Sequence, residues 1–482
     1  MKLTGAQYLT ALLLLFASNA IAQPDVLWSR TYGGDDDDVC QSIIQTVDDG
    51  FALAGYTRSF GSGESDFWLL RTNADGDSLC SKTFGGFSSE WCNSLISLSD
   101  GGFMLSGVTF SFGDEGSSFW IVRTDARGDS LWSCIISGID NGQILETAEG
   151  DFILSGSSSR DIENLSDFFI MKIDAHGDEV WSHAYGGELD DFGSTLCQAN
   201  DGGYLLGGYT LSYGAGDFDF LIIKVNADGD SLWSRTFGGL RSDICVSVLQ
   251  TSDGGFALSG MTYSFGRGSE QNYWLVKTDV EGDSLWSKAY GGEGSEHCLS
   301  SSQTPDYGFV LAGYTDSFGA GGNDFWLLRV NADGDSLWSG TFGGGIDEIC
   351  HSVAQTADGG FALTGYTNSF GSGKSDFYFV KTSPDPVSVS NSSIQPSTFD
   401  LQLFPNPFNS TARLSFSLTT PGRGKVLVLD PSGRITVNLA EGYYSAGPHT
   451  LLWQPDVLSN GTYFVRGEFG AESRTIKAML VR

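Results

Sequence analysis

Short apolar runs recur along residues 26–382, and glycine residues or Asp-Gly pairs separate them. In residues 231–278 the runs are "SLWSRTF", "CVSVLQT", "FALSGMT" and "NYWLVKT". Runs of this length, rich in β-branched and aromatic residues and bounded by turn residues, are typical of strands. No stretch of this region shows the period of an amphipathic helix. The pattern therefore predicts units of four antiparallel strands joined by tight turns.

A tryptophan marks the repeat of this unit. The marker positions are Trp28, Cys80 in place of a tryptophan, Trp132, Trp181, Trp233, Trp286 and Trp338. Their spacings are 52, 52, 49, 52, 53 and 52 residues. A period of this length indicates a propeller or a solenoid, and four antiparallel strands with tight turns make one propeller blade. We expect the tryptophans to pack between blades, and stacking on a cofactor is the alternative.

The phase of the repeat predicts how the propeller closes. Residues 26–32 form a tryptophan-bearing strand with no blade before it, and residues 350–382 form the other strands of a blade that lacks one. These two parts complete each other, which predicts an all-β fold with a seven-bladed β-propeller closed by its N-terminal strand. Closure removes exposed sheet edges that would otherwise promote aggregation. An open β-solenoid is the alternative.

The repeat pattern runs Gly-Gly, acidic residue, "QT", "DGGF", "SFG-x-G", "D-F-W" and "GDSLW". This pattern resembles the short bacterial β-propeller repeats of exported proteins over residues 26–382. The resemblance implies the architecture but not one function, since such propellers serve as binding modules, lyases, hydrolases or spacers.

The hairpin "NADGDSLWS" at residues 226–234 has three oxygen-bearing side chains, as a calcium loop does. An EF-hand loop needs glycine at its sixth position and glutamate at its twelfth. Here Gly229 is at the fourth position and Phe237 at the twelfth. Because Asp-Gly between two apolar runs is a strong hairpin signal, we predict a turn.

The chain begins with a basic residue, an apolar stretch and a small-residue site that ends at Ala22. This is the pattern of a secretory signal peptide in residues 1–22, cleaved after Ala22. No later run approaches 18 apolar residues, so we expect a mature protein without a membrane span. The predicted location is extracellular or on the outer cell surface.

The net charge is −33, and residues 23–399 contain 53 acidic and 17 basic side chains. A surface of this charge repels nucleic acid and anionic lipid, so neither is an expected partner. The acidity is typical of a soluble exported protein, and a cation-binding face is the alternative. We expect a monomer.

After the propeller, predicted for residues 23–382, the composition changes. Residues 383–399 are rich in Ser and Pro and predict a linker. Residues 400–482 contain about seven alternating runs, the pattern of a small β-sandwich. The segment also contains a set of motif residues in order: Pro405, Asn406, Pro407, Gly433, Arg434, Gly461, Tyr463 and Lys477. In these residues it is similar to the type A C-terminal sorting domain of the type IX secretion system of Bacteroidota, and a plain adhesive sandwich is the alternative.

The similarity to the sorting domain implies export across the outer membrane, with the secretion machinery as a partner. It further implies that the protein is released or anchored at the surface, usually after removal of this domain.

Five cysteines begin predicted inner strands, one per blade: Cys40, Cys92, Cys245, Cys298 and Cys350. Equivalent positions in stacked sheets lie about 10 Å apart, beyond the reach of a disulfide. We therefore predict that all eight cysteines are free. The five histidines form no H-x-x-x-H pair, and no G-x-S-x-G motif is present. The sequence contains no recognisable catalytic constellation.

Six of the seven blades have a carboxylate two residues before the predicted inner strand: Asp38, Glu90, Asp191, Asp243, Glu296 and Glu348. Calcium is the cofactor that such a ring suggests, but neighbouring blades would hold the groups about 10 Å apart, whereas calcium needs its oxygens within about 2.6 Å of the metal. We therefore expect each carboxylate to accept backbone N–H bonds in its own Gly-Gly loop. Apart from calcium, no cofactor is predicted.

Residues that depart from the repeat are better candidates for function. In blade three the Gly-Gly pair is lost, and "SSSRDIENLSDF" replaces the "SFG" loop. Aromatic or basic departures, for which ordinary loop variation is the alternative, are Trp91, Arg160, Arg241, Arg267, His297 and His351. Aromatic groups beside carboxylates suit a carbohydrate or peptide ligand. The sequence favours a binding or adhesion module, with a polysaccharide lyase or hydrolase and a structural surface component as alternatives.

Overall fold

A computed structural model gives the structure in two compact units, Met1–Val389 and Ser390–Arg482, and each is described on its own. The described residues are 23–113, 116–160, 165–268, 270–387, 399–404, 411–418, 422–429, 434–445, 447–455, 458, 460–469 and 472–480. The predicted signal peptide and its cleavage site at Ala22 lie outside them. Within these residues no helix is long and apolar enough to cross a membrane.

The first unit is built from short strands. The strands of its N-terminal half are β1 Val26–Tyr32, β2 Asp38–Gln45, β3 Phe51–Thr57, β4 Asp66–Thr72, β5 Ser78–Phe84, β6 Glu90–Ser97, β7 Phe103–Thr109, β8 Ser118–Thr124, β9 Ser130–Ser137, β10 Ile139–Glu146, β11 Phe152–Arg160, β12 Leu165–Ile173, β13 Glu179–Tyr185 and β14 Asp191–Gln198. Those of its C-terminal half are β15 Tyr204–Thr210, β16 Asp219–Val225, β17 Ser231–Phe237, β18 Asp243–Gln250, β19 Phe256–Thr262, β20 Asn272–Thr278, β21 Ser284–Tyr290, β22 Glu296–Gln303, β23 Phe309–Thr315, β24 Asp324–Val330, β25 Ser336–Phe342, β26 Glu348–Gln355, β27 Phe361–Thr367 and β28 Asp376–Thr382.

These strands form seven antiparallel four-stranded sheets, arranged as the blades of a β-propeller. Blades 1 to 6 are β2–β5, β6–β9, β10–β13, β14–β17, β18–β21 and β22–β25, each with its strands in sequence order. Blade 7 has the order β1-β28-β27-β26. Its outer strand is therefore the N-terminal strand, which pairs from Val26↔Thr382 to Tyr32↔Phe377. The predicted seven-bladed architecture, with the N-terminal strand in the last blade, is confirmed.

The two middle strands of a blade are buried on both faces because neighbouring blades cover them. In blade 5, β19 and β20 are buried at every position, whereas the outer strand β17 of blade 4 is largely exposed. Seven clusters of buried side chains join each blade to the next. The cluster between blades 7 and 1 contains Cys40 and Phe51 of blade 1 together with Phe377 and Phe379 of blade 7.

The repeated tryptophans lie between blades, as predicted. Trp28 of blade 7 contacts Phe51 of blade 1, with ring centroids 6.4 Å apart, and Phe379 of its own blade at 4.7 Å. Equivalent pairs across other junctions are Trp132–Phe152, Trp233–Phe256, Trp286–Phe309 and Trp338–Phe361. These contacts add edge-to-face geometry to the burial of a large apolar surface.

The "NADGD" segments are turns, as predicted. The side-chain oxygen of Asn226 accepts the backbone N–H groups of Asp228 at 3.0 Å and Asp230 at 2.8 Å. Gly229 has φ +87°, a conformation that favours glycine, and a Cβ there would meet Trp181 of blade 3. The hairpin therefore both turns the chain and packs on the tryptophan of the preceding blade.

All eight cysteines are free, which confirms the prediction. The five that follow the inner-strand carboxylates are fully buried, and Cys80, Cys134 and Cys197 are partly buried. Burial raises the pKa of the Cys40 thiol to about 12, so this group is a neutral core side chain at physiological pH.

The first residues of the predicted linker belong to the propeller. Asp385 is fully buried, and its backbone N–H donates to Gly359 O at 2.8 Å. Its carboxylate accepts Arg329 Nε at 2.8 Å and Trp338 Nε1 at 3.1 Å. The chain therefore stays on blades 6 and 7 through Val387, which is also buried. Residues 388–398 lie outside the described part.

The second unit has strands β29 Phe399–Phe404, β30 Ala412–Leu418, β31 Gly422–Leu429, β32 Ile435–Tyr444, β33 Gly447–Trp453, β34 Gly461–Phe469 and β35 Glu472–Leu480. They form the sheets β29-β30-β33 and β32-β31-β34-β35. One core takes side chains from both sheets, among them Leu414, Val428 and Trp453. This is the small β-sandwich that the alternating runs predict.

Some of the predicted sorting residues fall in the described part of this sandwich. Tyr463 is buried, with its ring edge-on to Trp453 at 6.3 Å. Arg434 is exposed, and Gly461 begins β34. Lys477 lies in β35 opposite Phe464. The predicted sorting residues that lie outside the described part are Pro405, Asn406, Pro407 and Gly433.

Candidate functional site

Two sets of loops lie together at one end of the propeller. One set joins the fourth strand of each blade to the first strand of the next, and the other joins the second and third strands within a blade. Hydrogen bonds connect the sets in blade 1: Asp36 N donates to Ser59 Oγ at 3.0 Å, and Arg58 N donates to Asp37 O at 2.9 Å. We call this end the loop face. It is where the repeats differ most in sequence.

The six ring carboxylates are the first residues of the inner strands. These strands begin two residues earlier than the sequence predicts. The strands reach these residues because they pair with the second strand of the same blade, as Asp38 does with Thr57. The Asp38 N–H also bonds to Ser375 O of the preceding blade at 2.7 Å. All six side chains are fully buried: Asp38, Glu90, Asp191, Asp243, Glu296 and Glu348.

Each of these carboxylates accepts a backbone N–H from its own Gly-Gly loop, as expected. Asp38 accepts Gly34 N at 2.8 Å and Ser59 Oγ at 2.7 Å. Glu348 accepts Gly344 N at 2.6 Å and Thr367 Oγ1 at 2.6 Å. The equivalent loop bonds join Gly86–Glu90, Gly187–Asp191, Gly239–Asp243 and Gly292–Glu296.

A second carboxylate faces most of these acids across the blade junction. It lies at or near the start of the third strand in the preceding blade: Asp66, Asp167, Asp219, Asp324 or Asp376, with Asn272 at this position in blade 5. A Cβ at Gly33 would overlap Asp376 Oδ1 and lie 2.7 Å from Asp38 Oδ2. Glycine is therefore required between the two acids.

Burial raises the pKa of Asp376, and the negative charge of Asp38 raises it further. The same causes raise the pKa of Asp66 and Asp219, which face Glu90 and Asp243. These partners were not predicted from the sequence, although the "D-F-W" element of the repeat contains them.

The six ring acids do not form one ligand set for calcium. Each lies in its own loop and accepts its own donors, and the described residues contain no group of three or more His, Cys, Asp or Glu side chains that could hold a metal ion. Calcium binding stays an untested alternative to the structural role of these carboxylates.

A band of aromatic side chains lies on the loop face, which we call the aromatic rim. It consists of Tyr56, Trp91, Phe110, Phe192, Tyr209, Phe218, Tyr263, His297, Tyr314 and Tyr366. Most occupy one of two paired positions, the second residue of the first strand and the sixth residue of the second strand. In blades 4 and 6 both paired positions are aromatic, as Phe192↔Tyr209 and His297↔Tyr314.

Contacts within the rim form three groups. Trp91 is 39 % exposed, with its ring 5.3 Å from Phe110 and 6.4 Å from Tyr56 of the neighbouring blade. In blade 4 the three aromatic rings lie within about 6 Å of one another: Phe192, Tyr209 and Phe218. In blade 6 the His297 imidazole stacks on Tyr314 at 4.5 Å.

The rim is uncharged near neutral pH apart from the carboxylates and arginines beside it. Burial raises the pKa of Tyr314 to about 12 and also raises the pKa of Tyr56 and Tyr366. Burial lowers the pKa of His297 to about 4. These phenols stay protonated and can donate hydrogen bonds, and the imidazole stays neutral.

Below the rim, the inner strands surround a central channel with a cavity of about 240 Å³. Val246, Leu299 and His351 contribute to its wall. The other lining side chains carry hydroxyl or amide groups: Gln41, Ser42, Asn93, Ser94, Gln143, Ser247, Ser300 and Ser352. Burial lowers the pKa of His351, and its Nδ1 lies 2.8 Å from the carbonyl oxygen of Cys40.

The structure brings together only some of the predicted ligand residues. Trp91 and His297 are in the rim, and the guanidinium of Arg241 lies 5.0 Å from the Tyr263 ring centroid. His351 is in the channel wall, below the rim.

The other two predicted ligand residues are Arg267 and Arg160. Arg267 is in the loop before β20, where its carbonyl accepts Asn272 Nδ2 at 3.0 Å. Arg160 ends β11, and its side chain lies outside the described part.

The tyrosines of the rim and the serines of the channel were missed because they occur in most repeats and therefore look architectural. The signal that could identify them is their placement. The sixth residue of the second strand is the partly exposed position near the end of an otherwise buried strand. The serine hydroxyls recur in the middle of the inner strand.

Blade 3 interrupts the rim. Only Gly138 separates β9 from β10, so this junction has no Gly-Gly loop. The ring acid is replaced by Ile139, and the acid that would face it is replaced by Ser118. The paired rim positions here hold Asp140 and Ser157. Among the described residues, the paired positions of blade 3 therefore add no aromatic side chain to the rim.

No family model matches the chain, and no curated protein sequence matches it. Among solved structures it is similar to PorZ, described as an essential bacterial surface component of the type-IX secretion system of Porphyromonas gingivalis. The TM-score is 0.44 at 14 % identity, over 93 % of this chain and 60 % of PorZ.

Two smaller propellers are also similar. An α-L-arabinanase of Penicillium chrysogenum, solved with arabinobiose, has a TM-score of 0.39 at 9 % identity, over 74 % of this chain and 99 % of that one. The propeller domain of the Trilobed protease of Pyrococcus furiosus has a TM-score of 0.37 at 9 % identity, over 74 % and 94 %. No residue role is carried over from these structures.

Proposed function

We propose that this protein is an exported bacterial binding protein that holds an extracellular carbohydrate on the loop face of its propeller. Residues 400–482 serve export, on the basis of their resemblance to a type A sorting domain. The observation that carries the binding function is the aromatic rim, which surrounds a polar channel on the face where the repeats diverge.

The chemistry of the rim suits a sugar. A pyranose ring presents apolar C–H faces that pack on exposed aromatic rings such as Trp91, and its hydroxyls need convergent polar groups to fix their orientation. Neutral tyrosine hydroxyls and the nearby carboxylates of Asp37 and Asp316 supply donors and acceptors. The strong negative charge disfavours an anionic polymer.

The binding function can be tested with a panel of neutral and anionic polysaccharides and the Trp91→Ala variant. Loss of an exposed aromatic anchor should weaken binding about tenfold or more, measured as Kd by calorimetry. Phe87→Ala is the matched control, because Phe87 is an almost fully exposed aromatic of the same blade outside the rim. Unchanged affinity in Trp91→Ala, or no binding by the wild type, would contradict the proposal.

One observation favours a lyase or hydrolase as a second candidate. The neutral His297 imidazole stacks on the protonated Tyr314 phenol, and such a pair can accept and donate protons. If the protein is an enzyme, the polysaccharides that it binds should release shorter products, and His297→Ala should stop the release even at saturating polysaccharide concentration. Binding without products supports the binding function.

The export function predicts the fate of a truncated chain. A chain that ends at Val387 keeps the Asp385 contacts of the propeller and loses the sandwich. It should fold and accumulate in the periplasm of its own host, whereas the full chain reaches the surface. Fractionation and surface proteolysis measure this difference, and normal surface display of the truncated chain would remove the sorting role.

A further inference from the structure

The central channel lies directly beneath the aromatic rim. Asn93 in its wall follows Trp91 of the rim by two residues, and Leu299 follows His297 in the same way. Two residues of a strand span about 7 Å, roughly one sugar ring. A ligand held by the rim can therefore extend into the channel.

The channel wall provides groups for hydroxyl recognition. Ser42, Ser94 and Ser300 can each donate and accept, and Gln41 adds an amide with both capacities. Among the residues that the structure describes in this lining, none carries a carboxylate, an ammonium or a guanidinium group. The pKa of His351 is lowered by burial, so its imidazole is neutral near pH 7. Because a carbonyl oxygen only accepts hydrogen bonds, the proton of this imidazole is on Nδ1, which donates to Cys40 O. Its Nε2 is then an acceptor.

From this arrangement we propose that the channel is an end-on subsite for the terminal sugar of a neutral oligosaccharide, with the following ring packed against Trp91 of the rim. The inference rests on the proposed carbohydrate function. It adds the direction in which the oligosaccharide binds and its class, a neutral oligosaccharide. A charged sugar would leave its charge without a counter-ion among the lining side chains, and that is costly in a confined site.

The size of the channel agrees with this role. Its cavity of about 240 Å³ is just below the range of about 300–1,000 Å³ that is typical of pockets for drug-sized ligands. The cavity offers room for one sugar ring, while the rest of the oligosaccharide lies on the loop face.

The first test uses the wild-type mature protein and four hexaoses: cellohexaose, laminarihexaose, mannohexaose and xylohexaose. Each is titrated free and with a bulky dansyl group on either its reducing or its non-reducing end. End-on binding predicts that one label weakens binding about tenfold or more, while the other has little effect. Equal affinity of the two labelled forms, or no binding by any hexaose, would overturn the inference.

The second test fills the channel. Gln41→Trp should weaken hexaose binding about tenfold or more, and Ser94→Phe replaces it if the first variant does not fold by circular dichroism. Wild-type affinity in a folded variant would overturn the end-on subsite. Trp91→Ala reports on the rim alone. If Trp91→Ala loses polysaccharide binding while the channel variant binds normally, the carbohydrate function is supported and the end-on mode is wrong.

Discussion

At the scale of single residues, the first glycine of each Gly-Gly loop is required by close approach. Gly238 lies between Asp219 of blade 4 and Asp243 of blade 5, and a Cβ there would overlap Asp219 Oδ1. The two acids are almost completely buried. Placing two carboxylates this close together in a buried site raises the free energy of the ionised state.

The sequence itself contains a neutral version of this arrangement. In blade 5 an asparagine, Asn272, replaces the acid. Its Nδ2 donates to Arg267 O at 3.0 Å, and its side chain lies beside Gly291 together with that of Glu296. At the junction of blades 2 and 3 both acids and the Gly-Gly loop are absent together. These positions therefore act as one structural unit.

We expect Asp219→Asn to raise the free energy of unfolding at pH 7 by roughly 1 kcal/mol, the lower end of the cost of an unsatisfied buried polar group. Chemical denaturation at pH 7 measures this change. Asp228→Asn, in an exposed hairpin, is the control and should have little effect. A loss of stability in Asp219→Asn would show that the charge of Asp219 is needed.

The pH dependence of this difference follows from the direction of the shift. Burial raises the pKa of Asp219 in the folded protein, so the ionised carboxylate destabilises the fold at pH values above that pKa. As the pH falls through it, the wild type takes up a proton more readily when folded and gains stability relative to the variant. The advantage of Asp219→Asn should therefore shrink in mild acid.

At the scale of elements, the segment that follows the last strand holds blades 6 and 7 together. Arg329 is completely buried and binds Asp385 at 2.8 Å and Asp306 at 2.5 Å. Trp338 is only 5 % exposed, whereas Trp28 on the outer strand of blade 7 is half-buried. The segment after β28 therefore supplies the carboxylate that binds the buried guanidinium of Arg329 and contacts Trp338.

Removing this partner should be costly. Asp385→Ala leaves the buried guanidinium of Arg329 with Asp306 as its remaining carboxylate, and breaking a buried ion pair destabilises a protein by about 3–5 kcal/mol. Thermal melting should detect the loss. The control is Asp129→Ala, which removes the partner of Lys82 in an ion pair that is exposed on both sides and should cost at most about 1 kcal/mol. Similar melting temperatures for the two variants would refute the role of Asp385.

At the scale of the whole molecule, the N-terminal strand belongs to a blade whose other strands are the last of the repeat. Strand β1 pairs with β28 along its length, and Trp28 contacts Phe51 of blade 1 and Phe379 of blade 7. The first and last blades also share a buried cluster. Both ends of the repeat are therefore held in one sheet.

Deleting residues 26–34 from the mature protein should cost several kcal/mol, because the edge of β28 loses its partner and Trp28 leaves an interface where truncation of a large aromatic costs about 3–5 kcal/mol. Calorimetric melting of the shortened chain, compared with a chain that begins at Gln23, measures the effect. If the shortened chain melts within a degree of the mature protein, the N-terminal strand does not stabilise the ring.

Much of the fold could be predicted from the sequence, but less of the site. The number of blades, the shared last blade and the packing of tryptophans such as Trp28 follow from the phase of the repeat. Of the predicted ligand residues, Trp91 and His297 are in the rim, whereas His351 is in the channel and Arg267 is in a separate loop. The carboxylate that faces each ring acid, such as Asp376 opposite Asp38, was not predicted.

The sequence by itself determined the strands, their turns and their order within a blade, because alternation, Asp-Gly hairpins and a period of about 52 residues are local signals that act on neighbours along the chain. Only the tertiary structure decided which side chains meet across blade junctions and around the channel. Tyr56 and Trp91 are in different blades, and the paired acids come from different repeats. Their proximity depends on how the sheets stack around the ring, and no pattern within one repeat encodes that geometry.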